Sequence, residues 1–179
     1  MRINNKKVKL KPAVFLDRDG TINHDKGYIN KYSQFKFRPY VIQGLKYLAK
    51  KKYLLFIVTN QAGIAKGKIK IPELNLLHNK LKLFLKRKKI IINQIEYCPY
   101  HPKGIIKKYK KKSKFRKPGN LMIKKILNNW NVNVKKSFML GDKRSDKIAA
   151  QKSNLYYEYV KNNFYKQVKT IDKKEINNY

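Results

Sequence analysis

Three short apolar runs each stop at a polar cluster, and that recurrence limits the folds open to the chain. Ala13 to Leu16 ends at Asp17, Leu54 to Val58 ends at Thr59-Asn60-Gln61, and Ser137 to Leu140 ends at Gly141-Asp142. Runs this short, rich in branched and aromatic residues, read as strands covered on both faces. Between them apolar residues recur at helical spacing. Val41, Ile42, Leu45, Leu48 and Ala49 form one stripe, and Leu74, Leu77, Leu81, Phe84 and Leu85 form a second behind Pro72. Pro72 suits a helix start, where its missing N–H costs nothing. Leu121, Met122, Ile126, Leu127 and Trp130 mark a third stripe. Ile90 to Tyr97 reads as a further strand, Lys147 to Lys152 as a helix, and Tyr156 to Val160 as a last strand. This alternation predicts the α/β class: a Rossmann-like three-layer α/β/α sandwich with a central parallel sheet. Ligand crevices in such sheets lie at the carboxyl ends of the strands. Asp17, Thr59 and Asp142 are therefore expected to share one pocket although they are far apart in sequence.

The 179 residues suit one domain, spanning 1–179. Its core is expected over about 13–160, with a basic N-terminal extension over 1–11 and a polar C-terminal tail over 161–179. No apolar run is long enough to cross a bilayer, and the stretch before Ala13 lacks the apolar core of a secretory signal. The single cysteine, Cys98, excludes a disulfide framework within the chain and fits a cytoplasmic setting.

The net charge of +35 raises the question of a nucleic-acid partner. The lysines, however, are spread along the whole chain rather than gathered in one arm. Lysine, asparagine, isoleucine and tyrosine are abundant together, as codons rich in A and T would produce. The compositional reading is preferred, and nucleic acid is not the expected partner. Against that background the acids are informative. Of 10 Asp and Glu residues, Asp17, Asp19, Asp25, Asp142 and Asp146 fall in two short segments. Close carboxylates repel unless a cation or shared proton intervenes, and an oxygen-rich cluster suits Mg²⁺.

Asp17-Arg18-Asp19-Gly20-Thr21 resembles the first motif of the haloacid dehalogenase phosphatases, DxDGT, placed after an apolar strand. Thr59-Asn60-Gln61, Lys117 and Gly141-Asp142-Lys143 with Asp146 are similar to the second, third and fourth motifs, in order. Asp25-Lys26-Gly27-Tyr28, Val58 to Gly67, Cys98-Pro99-Tyr100-His101-Pro102 and Arg116-Lys117-Pro118 look more narrowly like the heptose 1,7-bisphosphate 7-phosphatases. Two relatives with other substrates stand beside them: the histidinol-phosphate phosphatases and the polynucleotide 3′-phosphatases. The resemblance implies a HAD-like core without a large cap domain. It implies Asp17 as nucleophile, Asp19 as acid and base, and Thr59 and Lys117 as further catalytic residues. Asp17, Asp19 and Asp142 would hold Mg²⁺. Asp25, Lys26, Gly27, Tyr28, Asn60, Gln61, Ala62, Arg116 and Lys143 would contact a small phosphorylated sugar. A monomer is expected.

Many heptose phosphatases carry a structural zinc just before the Arg-Lys-Pro segment. The positions matching its ligands are Cys98, Tyr100, Ser113 and Phe115 here, so no zinc is expected, since such sites need about four Cys or His ligands. Cys98 then reads as a small packed residue, and Tyr100, Tyr109 and Phe115 as the groups holding the loop from Pro99 to Phe115, which is expected to be mobile. His24 reads as a surface-turn residue, His78 as a partly packed helix residue, and Trp130 as a helix core residue. The lysine run from Lys107 to Lys112 reads as a solvated loop.

Overall fold

The computed structural model describes residues 9–174; the first eight residues of the basic N-terminal extension and the last five of the chain lie outside the described residues. Five strands, β1 (Ala13–Leu16), β2 (Leu54–Asn60), β3 (Gln94–Cys98), β4 (Phe138–Gly141) and β5 (Tyr156–Tyr159), form one sheet in the order β3-β2-β1-β4-β5. Every pairing is parallel. Helices α1 (Val41–Lys50), α2 (Ala62–Ala65), α3 (Ile71–Arg87), α4 (Leu121–Asn129), α5 (Arg144–Gln151) and α6 (Phe164–Lys173) connect and follow them.

The period-two alternation of β1 sorts the core into two layers. Val14 and Leu16 face a cluster built with Leu45 and Leu48 of α1, Leu77, Leu81 and Leu85 of α3, and Phe164, Val168 and Ile171 of α6. Ala13 and Phe15 face the other cluster, with Met122, Ile123 and Ile126 of α4 and Ala149 and Ala150 of α5. All four residues of β1 are fully buried, as an apolar run covered on both faces must be. The expected three-layer α/β/α sandwich is thus what forms. Among the described residues no helix is long and apolar enough to cross a membrane.

Three segments differ from the sequence reading. The third strand begins at Gln94 rather than Ile90, because Lys89 takes a left-handed turn (φ 60°) and Ile90 and Ile92 go into the core beneath α3. Trp130 is not inside a helix but caps α4, with its ring 5.7 Å from that of Phe56 and its Nε1 donating to Gln94. Residues 164–173 form α6 rather than a polar tail. Phe164, Val168 and Ile171 recur at helical spacing and dock on α1, and Asp172 accepts hydrogen bonds from the hydroxyls of Tyr47 and Tyr53 (2.6 and 2.9 Å).

The chain runs outward from β1 through β2 to β3, then returns to β4 on the far side of β1. Such a reversal opens a crevice at the carboxyl ends of the two central strands. Asp17 and Asp142 are the first residues past those ends.

Candidate active site

Three carboxylates converge there. Asp17 is buried, and its backbone N–H donates to Leu140 O, which continues the sheet one residue past β1. Asp142 follows β4, and Asp146 sits in the first turn of α5, where its Oδ2 accepts from the Lys143 N–H at 3.0 Å. That position favours a carboxylate, because the free amides of a helix start face it. Two glycines make the convergence possible. Gly20 has φ +87°, and a Cβ there would lie 2.3 Å from Asp142 Oδ2. A Cβ on Gly141 would lie 2.5 Å from the Asp146 carboxylate. One oxygen from each of Asp17, Asp142 and Asp146 falls within a span of 4.8 Å. Asp142 Oδ1 is buried with no hydrogen-bond partner among the described residues. An orphaned carboxylate oxygen beside two others is the donor set of a hard cation, so this cluster could hold a metal ion.

Lys117 is the counter-charge inside the protein. Its Nζ reaches Asp17 Oδ1 at 2.5 Å, Asp146 Oδ1 at 2.7 Å and Val58 O at 2.7 Å. The ammonium donates hydrogen bonds to Asp17 and to Val58 O, and pairs with Asp146 through charge. Burial opposes the charge, but Asp17 and Asp146 outweigh it and hold the Lys117 ammonium above its ordinary range. Burial pushes the Asp17 carboxyl up to about 7, against the pull of Lys117 and with the help of Asp146. The Asn60 side chain fixes Lys117 from behind: it donates to the Lys117 carbonyl and accepts from the Lys117 N–H, both at 3.0 Å.

Asp19 points elsewhere. Its Oδ1 accepts from Arg18 Nε (3.1 Å) and Asn23 Nδ2 (2.9 Å), and its Oδ2 from Arg18 Nη2 (2.8 Å) and Gln61 Nε2 (2.9 Å). Burial raises its proton affinity, but the Arg18 charge and these donors prevail and hold Asp19 below the usual carboxylate range. Its side chain is not one of the three that converge on the candidate metal position, where the sequence reading expected it; Asp146 is. Gln61 also donates to Thr59 Oγ1 at 2.9 Å, so one amide ties the second cluster to the first.

The cavity above these groups has a volume of about 330 Å³. Asp17, Asp19, Asp25, Gly27, Tyr28, Thr59, Asn60, Gln61, Ala62, Arg116, Lys117 and Lys143 of the expected set line it, together with Gly63, Ser145 and Asp146. Lys26 is exposed and not part of the wall, and Asp142 lies just below it. At the rim Lys143 Nζ donates to Asp25 Oδ2 at 3.2 Å, and Lys66 Nζ donates to the Tyr28 hydroxyl at 2.9 Å. Arg116 Nη1 is buried without a hydrogen-bond partner among the described residues.

A family model described as polynucleotide kinase 3 phosphatase matches residues 13–175. The D-glycero-beta-D-manno-heptose-1,7-bisphosphate 7-phosphatase of Salmonella typhi is 38% identical over 144 residues, covering 80% of this chain and 77% of that protein. The chain belongs to the haloacid dehalogenase superfamily, in the family of the heptose-bisphosphate phosphatases. A Photorhabdus laumondii relative named for the alpha anomer is 37% identical over 147 residues, 82% of this chain and 80% of that protein. The crystal structure of a heptose bisphosphate phosphatase from B. bronchiseptica, complexed with magnesium and phosphate, shares the fold with a TM-score of 0.75. It is 23% identical and covers 89% of this chain and 86% of that one.

The loop of this phosphatase from Pro99 to Phe115 is held by packing and backbone bonds. The rings of Tyr100 and Tyr109 lie 6.2 Å apart, Lys111 Nζ sits 4.4 Å above the Tyr100 ring, and His101 N–H donates to Tyr109 O. Phe115, expected to join them, keeps 36% of its surface exposed and makes no ring contact with them among the described residues. Cys98 is buried in the core cluster on the α4 side, and burial pushes its thiol up, as suits a packed residue. The Tyr100→Ala variant is expected to lose about 1–3 kcal/mol, the worth of one aromatic pair plus one cation–π contact, and to expose the lysine run to trypsin. A thermal melt with limited proteolysis checks both.

Two residues of the site were not singled out from sequence. Arg18 was given no role of its own and is fully buried. His78 was read as partly packed, yet it is buried with its Nε2 3.0 Å from Arg18 Nη1. Its signal was present: it stands four residues after Leu74, on the apolar stripe of α3.

Proposed function

We propose that this phosphatase removes the 7-phosphate of D-glycero-D-manno-heptose 1,7-bisphosphate with the help of Mg²⁺, as a cytoplasmic step toward the heptose of lipopolysaccharide core. The observation that carries this reading is the orphaned Arg116 Nη1 on the wall of a cavity whose floor holds the carboxylates. A substrate with one phosphate needs a charge-neutralising floor; a second phosphate needs a second cation at the rim. Arg116 and Lys143 supply it, and a guanidinium fork matches phosphate geometry. Relatives named for this substrate at 37–38% identity support the same reading.

Asp17 attacks phosphorus, and the bond from phosphorus to the sugar oxygen breaks as the aspartyl phosphate forms. Asp19 is ionised in the empty site; the negative charge of the incoming phosphate raises its proton affinity, and once protonated it gives that oxygen its proton. Water then attacks the aspartyl phosphate, Asp19 recovers a proton from it, and Asp17 and inorganic phosphate are released. Lys117 offsets the charge of Asp17 and Asp146 and acts on the phosphate through its charge. Thr59 and the N–H groups of Ala62 and Gly63 at the start of α2 face the transferring group, where preorganised donors are worth most. Asp17, Asp142 and Asp146 would hold Mg²⁺, which when bound supplies positive charge to the phosphate oxygens. Asp25, Gly27 and Tyr28 shape the rim.

The test offers purified protein and Mg²⁺ three substrates: heptose 1,7-bisphosphate, histidinol phosphate and a 3′-phosphorylated oligonucleotide. Phosphate release is expected fastest from the heptose and is expected to stop when EDTA removes the metal. The polynucleotide reading is favoured by the description of the matching family model and by the net charge of +35. Release from the oligonucleotide alone would replace the heptose assignment with it.

A further inference from the structure

Arg18 is the largest side chain in the protein with no exposure. Burying a guanidinium is costly unless its donors are met, and an apolar side chain of similar volume is often no less stable in such a place. Among the described residues its side-chain bonds go to two groups only. Nε and Nη2 form a fork on the Asp19 carboxylate, at 3.1 and 2.8 Å, and Nη1 lies 3.0 Å from His78 Nε2. A guanidinium has no acceptor, so His78 Nε2 must accept, which requires a neutral ring with its proton on Nδ1. The burial of His78 and the Arg18 charge keep the ring neutral. The guanidinium is planar and rigid. Fixing it at Nη1 therefore fixes the plane of the fork, and with it the plane of the carboxylate. The other donors to Asp19, Asn23 and Gln61, add one neutral bond each, and the Arg18 fork is the contact that carries charge to both oxygens. The His78 ring is itself wedged by Tyr97, with centroids 5.9 Å apart.

We propose that His78 is a positioning residue for the reaction: acting through Arg18, it sets the orientation in which Asp19 delivers its proton to the leaving oxygen. This rests on the acid–base role given to Asp19 above. His78 stands on α3 and does not line the cavity above the carboxylates, so its effect on the reaction reaches Asp19 through the fork.

The experiment compares kcat/KM, which reports phosphoryl transfer, on two substrates. Heptose 1,7-bisphosphate releases an alkoxide that needs the proton; p-nitrophenyl phosphate releases a phenolate that does not. The His78→Leu variant keeps the volume and loses the acceptor. It is expected to fall about 30-fold on the sugar phosphate and less than about threefold on the aryl phosphate, a part of what a general acid contributes. In His78→Gln the amide oxygen accepts from Arg18 in place of Nε2, and the ratio between the two substrates is expected to return to within about threefold of the wild type. An equal loss on both substrates, with no recovery in His78→Gln, reduces His78 to a packing residue and overturns the proposal; so does an unchanged ratio in His78→Leu. If the wild type does not hydrolyse the heptose, the substrate reading fails by itself. The ratio is then read on whichever of histidinol phosphate and the 3′-phosphorylated oligonucleotide the wild type does hydrolyse, since both also release alkoxides.

Discussion

The Asp17→Asn variant is expected to lose phosphatase activity by at least about 10⁴-fold while keeping its fold, since removing a covalent nucleophile costs this much in enzymes of comparable design. The amide keeps the shape of the carboxylate but cannot form the aspartyl phosphate. Activity within about tenfold of the wild type would remove Asp17 from the mechanism. The same variant has a second, opposite signature. Burial lifts the Asp17 carboxyl from 3.8 to about 7 in the metal-free fold, so the folded chain binds this proton more tightly than the unfolded chain. Such a group stabilises the fold fully below 3.8 and loses that contribution as pH rises through about 7. Metal-free wild type is therefore expected to melt lower at about pH 8 than at about pH 5, and Asp17→Asn to lack that component of the drop. Thermal melts in EDTA across this range measure it.

The second large effect is expected at Lys117, and it runs the other way in stability. Lys117→Met keeps the length of the side chain but removes the one ammonium shared by Asp17 and Asp146. Two buried carboxylates then face each other and Asp142 with no internal counter-charge. Removing one partner of a buried ionic group costs about 3–5 kcal/mol, and losing a positioned charge costs about 10²–10³ in rate. The metal-free variant is expected to melt well below the wild type, and added Mg²⁺ to return part of the difference. A variant that melts like the wild type in EDTA would show that the carboxylates are neutralised by shared protons instead. Calorimetry with and without the ion decides between the two.

Much of this site was legible because residue type and strand position agree. Asp17 and Asp142 follow apolar runs that could only be buried strands, in a chain where acids are scarce. Which carboxylates actually converge was not legible. Parity along a strand places Asp19 on the same side as Asp17, but β1 ends at Leu16, the chain bends at Arg18, and the Arg18 fork draws Asp19 toward α3. Asp146 takes its place because it stands within the first turn of α5, facing back over Gly141. Asn60 was expected to touch substrate, yet its side chain is committed to the backbone of Lys117, a partner 57 residues away that spacing cannot reveal. The α6 stripe of Phe164, Val168 and Ile171 was present in the sequence. Its polar intervening residues hid it: Lys166 and Thr170 face solvent, while Gln167 is buried and donates to Glu158 and to Tyr159 O.

The Pro99–Phe115 loop is anchored on the carbonyl of Ala65, which accepts the N–H groups of Ile105 and Ile106 at 2.8 and 3.0 Å. Ala65 closes the four-residue α2, and α2 starts directly after Gln61, whose amide holds both Asp19 and Thr59. The loop that leads into Arg116 and the amide that holds Asp19 and Thr59 thus hang on one short lever. Substitutions in the loop are then expected to change turnover together with affinity, so that drift toward a new substrate cannot leave the speed of the old one untouched.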